Sequence, residues 1–227
     1  MGMGARTATS TCIPRMNTDV LTLAQLLSPS FPVGAFAYSH GLEMAIHDGL
    51  IKDRESLQAW LTDLLRFGGA RADAVLLSVA MATDLAAIQD VDDSARAFAA
   101  SKERLQETDL QGAAFCETVA QVWDLKLKGL SYPVAVGQTA RAMSFDPELC
   151  AAMYLQAFVG NLCGVAMRLV PLGQTDGQRV QAALKPLCVS VAKDVQGATL
   201  DDLHSCTFMS DIMAMRHETQ YSRVFRT

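Results

Sequence analysis

The chain has 227 residues, half of them hydrophobic and 19% charged, which is too apolar for a disordered segment and long enough for a substantial core. Its formal charge of −5 lacks the basic face that a nucleic-acid backbone demands. The six cysteines (Cys12, Cys116, Cys150, Cys163, Cys188 and Cys206) form no C-x-x-C pair and sit mostly in apolar helical surroundings, so they read as reduced core residues.

Charge is unevenly spread. Residues 1–18 carry Arg6 and Arg15 without an acid, and residues 215–227 carry three arginines against Glu218, so each end is +2 and the body −9. Residues 1–18 are polar, without the apolar run of a signal peptide, which sets the expectation of a cytoplasmic protein. Helical spacing dominates and strand-like alternation is nearly absent. The expected fold is all-α, a single-domain helical bundle of roughly eight to ten helices. It is divided into a flexible basic tail over 1–18, a domain over 19–214 and a terminal segment over 215–227.

In chain order, Asp19 or Thr22 caps a short helix ending near Leu27, before Ser28-Pro29. Gly34 turns the chain into a second helix from about Ala35 to Asp48, closed by Gly49. Asp53 and Ser56 open a third, with Leu57, Trp60, Leu61, Leu64 and Phe67 inward; Gly68-Gly69 breaks or kinks it, and Leu76, Val79 and Thr83 continue the stripe. The polar patch Asp90–Asp93 reads as the clearest mid-chain loop. A central helix from Glu107 to Lys128 turns Leu110, Ala114, Ala120 and Trp123 inward and ends at Gly129. Pro133 sits in the first turn of the next helix, and Asp146-Pro147 caps a long apolar one. Its stretch AAMYLQAFVGNLCGVAM (Ala151–Met167) falls short of the ~20 apolar residues of a membrane span. Gln156 and Asn161 at its middle favour a buried helix, and Gly160 and Gly164 would let a neighbour approach closely, so no membrane role is expected. Pro171-Leu172-Gly173 makes a corner into a helix from Thr175 to Val195, ended by Gly197. Thr199-x-x-Asp202 then reads as a capping box opening the last helix.

Catalytic chemistry finds little support. Ser39 lies in AYSHG, which lacks the first glycine of a nucleophile elbow and follows no strand, and His40 beside it points about 100° away on a helix. His40 and His47 stand two turns apart, too far to share a metal ion, and His204 and His217 lie elsewhere. LGQTDGQR (Leu172–Arg179) bears glycines and opens a helix but lacks the G-x-x-x-x-G-K-[ST] pattern, and Asp176 within it counts against a bound anion. No catalytic residue, cofactor or metal ligand is expected.

Three polar motifs remain: SPSFPVGAFAYSHGLE (Ser28–Glu43), PLGQTDGQR (Pro171–Arg179) and RHETQYSRVFR (Arg216–Arg226). Together with ETDLQG (Glu107–Gly112) and YPVAVG (Tyr132–Gly137), in that order and over nearly the whole chain after residue 18, they resemble the UreF family of urease accessory proteins. The departures are Ala35, where the family usually has a second glycine, Ala37, where a small hydroxyl residue is common, and Val224. The resemblance implies an all-α protein without catalytic activity of its own. It also implies a homodimer that binds UreD (also called UreH) and recruits the GTPase UreG to apo-urease, so that the nickel metallocentre is incorporated; modulation of GTP hydrolysis is left open. It further implies a C-terminal tail that becomes ordered against UreD. The expected partner-binding residues are Tyr38, Ser39, Gly41, Glu43, Arg216, His217, Glu218, Tyr221, Arg223, Phe225 and Arg226. Arginine forks and aromatic rings suit such a role, while Tyr38 is equally readable as a core-facing ring. On this reading Ser39, His40 and Glu43 shape and cap a recognition helix. The alternative is a helical enzyme or small-ligand binder with a deep polar pocket near Tyr38 and His40.

Overall fold

The computed structural model describes residues 15–127 and 129–227. Most of the expected N-terminal tail, with Cys12, lies outside them, and the first helix already opens at Arg15, ahead of residue 19. The described residues form ten α-helices and three short 3-10 turns, with no strand, so the fold is all-α.

The centre of the molecule is α4 (Gly69–Ala82), whose residues from Ala74 to Met81 are all buried. A helix apolar on every side must be surrounded, and α4 touches α3 (Arg54–Phe67), α7 (Tyr132–Met143), α8 (Pro147–Leu169) and α9 (Gln174–Asp194). The tightest of these contacts is at Gly137 of α7, where a Cβ would stand 2.6 Å from the Leu77 carbonyl. Gln138 ties the pair further by donating to the carbonyls of Ala80 (2.6 Å) and Thr83 (2.9 Å). The α8 helix is long and apolar enough to cross a membrane, but half of that stretch is buried inside the protein and α9 returns along it, as the amides Gln156 and Asn161 suggested. Gly160 and Gly164 do not mediate close helix contact. No atom lies within 4 Å of a Cβ placed at Gly164, and both residues face a cavity instead.

Capping predicted several boundaries. Asp53 and Ser56 form a reciprocal capping box at α3, Asp146 accepts from the Leu149 amide at 2.7 Å, and Pro133 sits in the first turn of α7. Gly68 separates α3 from α4 with extended backbone, as expected.

Four expectations are corrected. Asp90–Asp93 is not a loop but the front of α5 (Ile88–Ala97), because Ile88, Val91 and Ala95 repeat at helical spacing beneath the acids. Asp92 is buried and works inside the fold, accepting from Arg96 Nε at 2.9 Å and from the Ser131 amide at 2.6 Å. The central helix, α6 (Lys102–Trp123), ends before Gly129, because Asp124 takes the left-handed conformation (φ 56°) that closes it. Its buried face is Glu107, Gln111, Phe115 and Val119, one step round from the expected stripe, and Leu110 is exposed. Finally, the Thr199–Asp202 capping box opens only a 3-10 turn, and the last helix, α10 (Phe208–His217), begins later.

Candidate functional site

The second expected helix breaks where the first motif lies. Gly34 (φ 71°) leads into a 3-10 turn over Ala35–Ala37, Tyr38 is extended, and His40 (φ 55°) and Gly41 (φ 76°) are left-handed before α2 (Leu42–His47) begins. The break is filled by the other end of the chain. The Ser39 amide donates to the Thr227 carbonyl at 2.8 Å and the Arg226 amide to the Ala37 carbonyl at 2.8 Å, and the Ser39 hydroxyl also donates to the Thr227 carbonyl. Main-chain groups that a helix would have satisfied internally are thus satisfied by the tail. Gly41 is required twice: its φ is positive, and a Cβ would fall 2.6 Å from the Ala214 amide nitrogen of α10. Gly41→Ala is therefore expected to cost about 1–2 kcal/mol from left-handed strain, with the clash against α10 added to it, read as a lowered urea midpoint. An unchanged midpoint would show that α10 is free to move.

Around this crossing lies a chain of buried charges. Glu43, in the first turn of α2, accepts the amides of Val224 (2.7 Å) and Phe225 (2.8 Å), and lies 3.3 Å from His217 Nε2. His217, fully buried in the last turn of α10, places Nδ1 2.7 Å from Glu103 Oε2, while Arg223 donates to the other oxygen of Glu103 at 2.5 Å. Glu218 accepts the Lys102 amide at 2.8 Å and so caps α6. Arg216 pairs with Asp48, and Phe225 is buried beneath the Arg168 guanidinium, 5.8 Å from its ring centre.

A second cluster adjoins the first. Glu107 is 2% exposed; it accepts from Arg104, from Gln111 Nε2 at 2.8 Å and from the Thr227 hydroxyl at 3.0 Å, and lies 3.0 Å from His40 Nε2. Burial opposes its charge, yet Arg104 and His40 beside it hold the carboxyl at about 2. His40, Asp73 and Arg104 line two adjoining cavities, of about 650 Å³ and about 500 Å³. Among the described residues, no three His, Cys, Asp or Glu side chains converge as a metal site would need. The buried thiols of Cys150 and Cys163 are pushed up by burial to about 12, so they stay protonated, while Cys206 is exposed.

The structure thus gathers eight of the eleven expected site residues, Tyr38, Ser39, Gly41, Glu43, His217, Glu218, Arg223 and Phe225, around one crossing of the two motifs. Tyr38, Ser39, Glu43, His217 and Phe225 are buried there. Arg216 and Arg226 border it at the surface, and Tyr221 is fully exposed. Glu103, Arg104 and Glu107, which complete the network, were missed by sequence reasoning. The available signal was a run of charges on the face of α6 that carries Phe115 and Val119 inward.

Fold and site together define an all-α protein whose first and last polar motifs close on each other through buried charge pairs. The UreF family model matches residues 51–185, and the chain belongs to the UreF family. It is 49% identical over 210 residues to the urease accessory protein UreF of Ruegeria pomeroyi, covering 92% of this chain and 97% of that protein. Against the protein of the same name from Roseobacter denitrificans the identity is 49% over 213 residues (93% and 96% covered). Against that of Ruegeria sp. strain TM1040 it is 52% over 208 residues (91% and 97% covered).

Proposed function

We propose that this protein is a cytoplasmic urease accessory factor without catalytic activity of its own, needed for incorporation of the nickel metallocentre into urease. In this reading it works as a homodimeric scaffold that binds UreD and brings the GTPase UreG to apo-urease. Nickel is then cargo of the assembly rather than a resident of this chain. Family membership supports the maturation role.

The observation that carries the scaffold reading is the outer face of α10. Phe208, Ile212 and Met215 repeat at helical spacing and are 70%, 45% and 52% exposed, with Met209 beside them. Exposed Phe67 is close by, since its carbonyl accepts the Cys206 amide at 2.7 Å. Tyr221 and Val224 follow on the tail, also exposed. Exposed apolar side chains on α10, with Arg216 on the same helix, have the composition of a protein interface.

The test is co-purification with UreD and UreG. The wild-type chain should bridge the two. Phe208→Ser with Met215→Ser, both outside the buried network, should leave the urea midpoint within about 0.5 kcal/mol of wild type while lowering capture of UreD at least about tenfold. Full capture by the double variant would remove α10 from the interface. Failure of the wild type to bind either partner would end the scaffold reading.

A further inference from the structure

Asp73, half-buried on α4, is a carboxylate beside the buried group with one oxygen open to a cavity. Tyr154 donates to its Oδ2 at 2.9 Å, and no donor among the described residues reaches the other oxygen. It lines the 650 Å³ cavity together with the apolar Leu27, Val33, Met153 and Ala157, and Arg104 and Arg168 border the same space. Tyr132 and Tyr154 also line it and pack against each other at 5.7 Å, and Phe115 meets Tyr132 edge-on at 5.7 Å. Gln156, which also lines the cavity, has a buried Oε1 without a hydrogen-bond partner among the described residues.

We propose that this cavity binds a primary alkylammonium group, with the aliphatic stem along Met153 and Ala157 and the nitrogen at the open oxygen of Asp73, beside the tyrosine rings. The parts match the ligand one by one. A carboxylate oxygen without a donor offers charge and an acceptor, electron-rich ring faces attract a compact cation, and apolar walls cover methylenes. Burial raises the Asp73 carboxyl, as does the nearby charge of Glu107, while Arg104 and His40 act the other way. A bound cation would restore its ionisation at little cost, because Arg104 is already paired with Glu107. A metal ion fits less well, since His40 is committed to Glu107 and no triad of ligands converges.

The ligand chemistry is shared by free diamines and by a lysine side chain, and titration calorimetry on the full chain separates them. The probes are 1,4-diaminobutane, the neutral isostere 1,4-butanediol, a capped lysine peptide and nickel ion. Binding of the diamine but not the diol is expected, and Asp73→Asn should weaken it at least about tenfold. Because Asp73→Asn can disturb packing, Ala157→Phe provides a second check by filling the cavity mouth, and it should abolish the heat with the fold intact. Binding of the lysine peptide alone, lost in both variants, would assign the site to a protein side chain. Three outcomes overturn the proposal: no heat with either amine, equal affinity for diamine and diol, or heat with nickel ion alone. None of these bears on co-purification with UreD, so the maturation role stands or falls separately.

Discussion

His217→Ala is expected to destabilise the protein by about 3 kcal/mol or more, since it removes two contacts to carboxylates at about 1.5 kcal/mol each and leaves a cavity. The ring has no exposed surface and lies between two carboxylates from different parts of the chain, Glu43 of α2 and Glu103 of α6. Without it each carboxylate keeps only part of its partnership: Glu43 retains the amides of Val224 and Phe225, and Glu103 retains Arg223. The loss should therefore appear first where those amides are held. Hydrogen exchange at Val224 and Phe225 should accelerate well before that of α4, and the urea midpoint should fall with it. A midpoint within about 1 kcal/mol of wild type, with the amides still protected, would mean that the tail is held by Phe225 burial and main-chain pairing alone.

Acid should dismantle the second cluster. The Glu107 carboxyl lies at about 2 in the folded protein against 4.5 when unconstrained. The folded state therefore binds that proton less readily than the unfolded state, and the ionised group stabilises the fold at every pH above about 4.5. As pH falls from 4.5 towards 2 the unfolded chain takes up the proton first, and about 3 kcal/mol of stability is lost across that interval. Asp73 works in the opposite sense: its raised carboxyl penalises the fold above its ordinary range and relieves it on acidification. The net acid loss in that window should shrink in Glu107→Gln, which cannot titrate. At neutral pH the same variant should be less stable, because Arg104 is left buried without its partner. Denaturant midpoints measured across pH 2–7 decide the matter. Parallel curves for wild type and Glu107→Gln would show that Glu107 is not held in its ionised form.

What the sequence disclosed, and what it hid, follows from the range of the interactions. The boundaries at Asp53, Pro133 and Asp146 were legible because a capping side chain reaches only three residues along the chain. The break at Ser39–Gly41 was not, since its cause is a tail more than 180 residues away. Helix propensity alone would carry Ala35–Asp48 through without interruption. The acids of α5 misled because polarity was weighed ahead of the Ile88, Val91 and Ala95 spacing. On α6 the exposed Leu110 and the buried Glu107 exchanged their usual places, so a stripe drawn through apolar residues settled on the wrong face. The two motifs that meet in space were recognised separately as sequence, but Glu103, Arg104 and Glu107, which bind them together, showed only as charges at helical spacing on the face of α6 that carries Phe115 and Val119 inward, a pattern that reads as a solvated face until the tail packs on it.

The closure of the tail on α2 has a consequence for biosynthesis. Phe225 lies 182 positions along the chain from the carboxylate that receives its amide. A ribosome-bound nascent chain can collapse around α4, α7 and α8 long before that, but Glu43, Glu103 and Glu107 must wait with incomplete pairing until the segment from His217 to Thr227 has been translated. High contact order places this step late. The interval leaves the apolar face of α2 and the two cavities open to solvent, so truncated or stalled products of this chain should be the forms that aggregate and engage general chaperones.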